Sequence, residues 1–331
     1  MLEVQSDWRS SFAKLREPVS PDLERIRALA GELVLGDFCL VDKPVGHLLS
    51  TSGKMIRPML MLLCAGDSGV DREHLISMGV TIELIHTASL VHDDSIDRSA
   101  FRRGVPTLNA KWDHKTSVII GDYLLSQAFC ELARPGVPEL ISVMTLACRD
   151  LALGEMRQMA MEGNLQATEE DYFAFIRGKT ASLFSAAASV ASVLNGAANR
   201  ELLSHYGVLF GSIYQITDDL LDYVGSSPET GKPRVIDILE HKMTLPLIHA
   251  IGRMSPGARA EVEDVFSRQE IDRAEAEHVA LLVEQAGGIE YARARVKALA
   301  DEAIRLLEKL PERDLAEKLA TFVEVIVERD R

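Results

Sequence analysis

Apolar and polar positions along this chain follow a helical repeat almost from end to end. From Leu75 through Ile76, Val80, Leu84 and Val91 the apolar residues recur three and four apart, predicting one long helix that runs into Asp93. The same periodicity predicts helices over 60–65, 117–132, 140–161, 172–194, 202–224, 243–251, 258–266, 273–285, 288–310 and 315–329. Ser20-Pro21 reads as a helix start, a capping hydroxyl followed by proline at the first helical position, with the helix running to about Leu35 before Gly36. A short amphipathic segment covers 45–51, and Thr168 with Asp171 three residues on predicts a capped start before Tyr172. No stretch alternates with the two-residue period of a strand, and no linker divides the chain. The expectation is an all-α protein, one domain over 1–331, with ten or more helices.

Composition supports helices. Hydrophobic residues make up 47% of the 331 positions, enough for a sizeable core, while aromatics are only 5%. The net charge of −14 argues against nucleic acid as a partner. It also means that an anionic substrate must be recruited by local cations or metal. Cys39, Cys64, Cys130 and Cys148 show no ligand spacing and read as small core residues in a reducing compartment. No secretory signal opens the sequence, and no apolar run reaches the length of a membrane span, so a soluble cytoplasmic protein is expected.

Two pentapeptides change this picture. Asp93-Asp94-Ser95-Ile96-Asp97 and Asp218-Asp219-Leu220-Leu221-Asp222 each carry carboxylates at i, i+1 and i+4, and each ends a mostly apolar helix. On a helix, i and i+4 share a face one turn apart. Such acids repel one another unless a cation holds them, and a solvated surface would not demand so apolar a lead-in. Oxygen donors without a cysteine or histidine fan favour Mg²⁺, which completes its shell with water and substrate phosphate. Lys54, Arg57, Arg102, Arg103, Lys179, Lys232 and Lys242 each stand at a helix end or in a loop near the acidic helices. As a set they suggest two anionic groups, one bridged by metal and one held directly. His86 lies two turns before Asp93 on the same helix. Gly225 to Pro233, which contains Lys232, reads as the longest flexible stretch and a candidate lid.

Taken together, these residues resemble the trans-isoprenyl diphosphate synthases, or polyprenyl synthetases. The resemblance rests on Gly53-Lys54-Met55-Ile56-Arg57-Pro58, on Glu83-Leu84-Ile85-His86-Thr87 through Asp97, on Arg102-Arg103-Gly104 and on Gly178-Lys179-Thr180. It continues through Gln215-Ile216-Thr217-Asp218-Asp219-Leu220-Leu221-Asp222 to Gly231-Lys232-Pro233, Asp237, Glu240 and Lys242. It implies the all-α isoprenoid-synthase fold, a homodimer, and a Mg²⁺-dependent prenyltransferase joining isopentenyl diphosphate to an allylic diphosphate. Asp93, Asp97 and Asp218, with Asp94, Asp219 and Asp222, would hold three Mg²⁺ per site. Arg102, Lys179, Lys232 and Lys242 would contact the allylic diphosphate. Lys54, Arg57, His86 and Arg103 would hold that of isopentenyl diphosphate, and Thr180 and Gln215 would face the developing allylic cation. The chemistry suits those roles: C–O cleavage leaves a diphosphate that cations stabilise and a carbocation that needs a dry cavity with a few oxygen dipoles.

The chain departs from the family pattern at Met55-Ile56, Arg98, Val235 and His241, the last two standing where glycine is common. Family resemblance also places a chain-length floor at the fourth and fifth residues before Asp93, here Ser89 and Ala88, both small. A growing chain would then slide past them beside Ile85, Thr81 and Met78, implying a heptaprenyl to nonaprenyl product centred on octaprenyl. Such a product implies at most peripheral contact with membranes. The alternatives are a shorter-chain farnesyl or geranylgeranyl synthase, a terpene cyclase, and a non-catalytic subunit of a heteromeric synthase. The intact second acidic cluster speaks against the cyclase, and the complete set of acids and cations against the subunit.

Overall fold

The computed structural model describes residues 8–36, 38–50, 53–66, 69–102, 104–224 and 235–330. It is all-α. The helices are α1 (Trp8–Arg16), α2 (Ser20–Val34), α3 (Cys39–Ser50), α4 (Ile56–Ala65), α5 (Arg72–Ile96), α6 (Leu108–Lys111), α7 (His114–Ala133), α8 (Pro138–Met161) and α9 (Glu169–Ile176). After a π-helical segment at Arg177–Ala181 come α10 (Ser182–Asn195), α11 (Arg200–Val224), α12 (Ile236–Leu239), α13 (Leu245–Ile251), α14 (Pro256–Phe266), α15 (Arg273–Gln285), α16 (Gly288–Leu307) and α17 (Arg313–Val327). The only strands among the described residues are β1 (Phe101–Arg102) and β2 (Val105–Pro106), an antiparallel pair where the sequence reads as a loop.

Helix ends follow local chemistry in most places. Thr168 and Asp171 form the expected capping box, and Asp272 with Glu275 forms a second before α15. Ser20 is different. A 3₁₀ turn at Glu17–Val19 joins α1 to α2, so the chain is already helical there and the Ser20 amide bonds to the Glu17 carbonyl. Its hydroxyl instead donates to the Arg16 carbonyl at 3.0 Å. The cap predicted at Ser20 has no orphan donor to satisfy.

The residues group into two compact units. Phe12–Cys148 and Leu183–Ser204 form the first, organised around α5. This helix is apolar on nearly all sides, and by length and composition it could cross a membrane, contrary to the reading of the sequence. Here 67% of its most apolar window is buried in protein, as befits a core helix. One face runs along α7. The Ser77 hydroxyl donates to Glu131 Oε2 at 2.7 Å, Thr81 Oγ1 donates to the Ser77 carbonyl at 2.9 Å, and the His92 ring lies where a side chain on Gly121 would be. Ala88 belongs to that same stripe by helical spacing and is buried. On the opposite side, Ile26 of α2 fills the space over Gly79.

Arg149–Ser182 and His205–Arg331, with the N-terminal residues to Ser11, form the second unit. Its core centres on Tyr206, Phe210 and Phe322, all fully buried, with the Phe210 and Phe322 rings 4.7 Å apart. Burying each such ring stabilises the fold by about 1.5–3 kcal/mol. The Tyr206 hydroxyl reaches the Leu319 carbonyl at 2.8 Å, so its polar end is satisfied too.

The cysteines are less uniform than a core reading suggests: Cys64 is buried and Cys148 half-buried, but Cys39 and Cys130 are exposed.

Candidate active site

The first acidic cluster lies at the C-terminal end of α5. Asp93 and Asp97 share a face, and the Asp97 amide donates to the Asp93 carbonyl at 2.8 Å. Asp94, at i+1, lies 100° round the helix. It is buried, and Arg102 Nε reaches its two oxygens at 2.8 and 2.9 Å. The β1–β2 ribbon presents that guanidinium. The helix closes with Arg98 in a left-handed conformation (φ 51°), while the Ser99 amide returns to the Asp94 carbonyl at 3.0 Å. This is a Schellman ending, in which glycine is the usual residue. Arg98→Gly should therefore stabilise the protein by about 1 kcal/mol, a rise of about 2–4 °C in melting temperature by calorimetry.

His86 is half-buried and lines a cavity of about 120 Å³ with Glu83, Thr87, Leu90, Asp94 and Arg102. Lys54 and Arg57 flank the start of α4, where Met55 turns the chain with φ 53°. The Lys54 side chain is exposed, and the Arg57 guanidinium lies 4.5 Å over the Phe184 ring. Ile85 is buried, and Ser89 is half-buried with its hydroxyl on the His86 carbonyl at 2.8 Å. Thr81, expected beside the growing chain, instead faces α7, because Oγ1 is committed to that seam. Arg103 lies outside the described residues.

The second cluster lies at the end of α11, in the other unit. Asp218 is half-exposed, with Arg329 Nη2 3.9 Å away. Asp219 is buried and accepts from Tyr172 Oη at 2.6 Å and from Gln215 Nε2 at 2.8 Å. Gln215 Oε1 in turn accepts from Thr180 Oγ1 at 2.7 Å. Burial is the main influence on Asp219; opposed by those two hydrogen bonds and aided by Asp218 and Asp222, it leaves the carboxyl pushed up to about 7. Burial, then Asp219, holds the Tyr172 phenol well above its ordinary range, so it stays a neutral donor. Asp222 caps α12: its Oδ1 and Oδ2 accept from the amides of Ile236 and Asp237 at 3.1 and 3.0 Å. Val235 and His241, which bracket α12, both adopt left-handed conformations, φ 62° and 55°. That explains why glycine suits these positions. The Asp237 carboxyl is raised well above the usual range by burial and then by Asp222 and Asp219. Lys242 reaches Glu240 at 2.6 Å. Lys232 and the predicted lid lie outside the described residues.

Lys179 and Thr180 ride on the π-helical segment, which interrupts the single helix expected over 172–194. Lys179 Nζ pairs with Glu155 of α8, with both side chains largely buried. Approach is close because two glycines face each other: a side-chain carbon on Gly154 would collide with the Lys179 backbone, and one on Gly178 would crowd the Asp150 carbonyl. Gly154→Ala should cost about 3 kcal/mol and displace Lys179 and Thr180. Chemical denaturation together with turnover measurements would check both effects.

Oxygen donors that could take a hard divalent cation stand in each unit, Asp93 and Asp97 in the first and Asp218 in the second. All three are carboxylates, the donor type that Mg²⁺ and Ca²⁺ prefer. Asp94, Asp219 and Asp222 already accept hydrogen bonds from Arg102, from Tyr172 and Gln215, and from the start of α12. Among the described residues no group of three or more His, Cys, Asp or Glu side chains converges as a cage.

Three structural residues escaped the sequence reading. Tyr172 looks like one more core aromatic, Glu155 like one more surface acid, and Gly154 like a weak point in a helix. The facing pair Gly154 and Gly178 was the available signal, since glycine inside two helical patterns marks close backbone approach.

Residues 39–283 match the polyprenyl synthetase family model. The octaprenyl diphosphate synthase of Escherichia coli is 34% identical over 323 residues, 97% of this chain and 100% of that one. A crystal structure of a decaprenyl diphosphate synthase from Rhodobacter capsulatus aligns with a TM-score of 0.87 at 35% identity, covering 96% of this chain and 99% of that one. A polyprenyl synthase from Caulobacter crescentus CB15, complexed with calcium and isoprenyl diphosphate, gives 0.90 at 30% identity over 96% and 97%.

Proposed function

The chain belongs to the polyprenyl synthetase family and is a prenyltransferase, and from that premise we propose that it makes a medium-to-long all-trans product of the octaprenyl type. It joins isopentenyl diphosphate head to tail to an allylic diphosphate. The reading leans most on the end of α5, where Asp93 and Asp97 stand one turn apart while Arg102 occupies Asp94. Asp93, Asp97 and Asp218 would hold Mg²⁺, which would neutralise charge on the departing diphosphate. Arg102, Lys179, Lys232 and Lys242 bind that diphosphate. Lys54, Arg57, His86 and Arg103 bind the one on isopentenyl diphosphate. Thr180 and Gln215 face the allylic cation, and no side-chain base is required, because the released diphosphate can take the proton.

The active species is a homodimer. Ile119 and Phe129 on α7 are exposed, and along α8 so are Ile141, Leu146, Leu153, Met156 and Met159. Apolar residues exposed in such number on long helices mark surfaces that a partner covers. Light scattering after size exclusion should give twice the monomer mass.

The deciding experiment incubates the purified protein alone with labelled isopentenyl diphosphate, farnesyl diphosphate and Mg²⁺. Linear products centred on octaprenyl are expected. Products stopping at geranylgeranyl would overturn the chain length. A cyclic hydrocarbon would point to a cyclase, and no incorporation to a subunit that needs a partner.

A further inference from the structure

We infer that Tyr172 and Asp219 are positioning residues, whose task is to fix which way the Gln215 amide and the Thr180 hydroxyl point. This rests on the reading above, in which Thr180 and Gln215 face the allylic cation. The argument is one of donors and acceptors. An amide nitrogen only donates hydrogen bonds, so the Asp219 oxygen facing it accepts whether or not the carboxyl carries a proton. Asp219 takes one from Tyr172 Oη at 2.6 Å on Oδ2 and one from Gln215 Nε2 at 2.8 Å on Oδ1. The Gln215 amide is thereby held with nitrogen toward Asp219 and oxygen toward Thr180. The Thr180 hydroxyl has a single hydrogen, and it goes to Gln215 Oε1 at 2.7 Å. What remains outward on Thr180 is lone-pair density rather than a hydrogen.

That direction matters to a carbocation. An oxygen lone pair stabilises positive charge, whereas a flipped amide would turn its NH₂ group to Thr180 and free the hydroxyl hydrogen to point the other way. Tyr172 keeps the relay from reversing. It is fully buried, it donates but carries no charge, and its ring is wedged edge-on against Phe173 and Phe175, with centroids 5.7 and 5.2 Å away. The capping box of Thr168 and Asp171 holds the start of α9 beneath it. Asp219 is then an orienting group within the second cluster, each of its oxygens holding one protein donor.

Tyr172→Phe removes one oxygen and keeps the ring contacts, so the fold should survive, as circular dichroism can verify. Turnover at saturating substrates should fall about 10-fold, with KM for both diphosphates within about twofold, because binding is untouched while the transition state loses oriented oxygens. Asp219→Asn should lower turnover further, yet leave the calorimetric affinity for Mg²⁺ with inorganic pyrophosphate unchanged. In a Gln215→Leu background, Tyr172→Phe should have almost no additional effect. Three results would overturn the inference: unchanged turnover in Tyr172→Phe, an additive effect on top of Gln215→Leu, or weakened Mg²⁺–pyrophosphate binding in Asp219→Asn. Thr180→Val and Gln215→Leu separate the inference from the reading beneath it. If both are impaired while Tyr172→Phe is normal, only the relay fails. If both are normal, the assignment of Thr180 and Gln215 to the cation fails with it.

Discussion

Asp93→Asn should lower turnover by roughly 10³-fold, in line with the loss of a preorganised charge contact in a transition state. The Mg²⁺ concentration giving half-maximal rate should rise in the same variant, because the missing oxygen is one of the proposed metal donors. Asp222→Asn provides the contrast. Its oxygens cap α12, accepting from the amides of Ile236 and Asp237, so its loss should loosen α12 without moving the Mg²⁺ requirement. Steady-state incorporation of labelled isopentenyl diphosphate across a Mg²⁺ series measures both. Equal displacement of the Mg²⁺ requirement in the two variants would contradict the division of labour drawn for these acids.

Ser89→Phe should shorten the product to roughly half its length, on the argument that each helical turn of lost depth is about 5.4 Å. The choice of Ser89 over its neighbour comes from α5 itself. Met78, Ile82, Ile85 and Ser89 recur four, three and four apart, and so form one stripe. Ser77, Thr81, Ala88 and His92 form another, which the hydrogen bonds of Ser77 and Thr81 and the seating of His92 on Gly121 place against α7. A bulky group at Ala88 would have to enter that closed seam, at a cost of about 1–3 kcal/mol. Ala88→Tyr should therefore lower the melting temperature in addition to any change in product, whereas Ser89→Phe should alter product length with little thermal effect. Reverse-phase chromatography of dephosphorylated products and a thermal melt on each variant would test the pair. Wild-type product lengths from both would remove the floor from this part of α5.

Much of the helical framework was open to reading because it depends on periodicity that neighbouring residues enforce. The helix over 273–285 has the predicted bounds, and α5, α7, α8 and α11 begin within three residues of expectation. Breaks that leave no mark on the pattern were missed. Phe173 to Phe184 keeps a helical rhythm straight through the π segment, since one extra residue per turn rotates the apolar face without removing it. The sequence reading assigns no element to Trp8–Arg16, where α1 forms with Leu15 as its one buried residue. At Ser20 a sound local rule met a chain that was already helical.

The acidic clusters show the same division more sharply. Spacing alone determined that Asp93 shares a face with Asp97, and Asp218 with Asp222, because the geometry of a helix is local. Which donors occupy Asp94, Asp219 and Asp222 was decided by the tertiary structure: Arg102 for Asp94, Tyr172 for Asp219, and the amides of α12 for Asp222. A carboxylate does not announce in sequence whether a buried donor will claim it. That depends on desolvation and hydrogen-bond direction, and both arise only when the helices have packed.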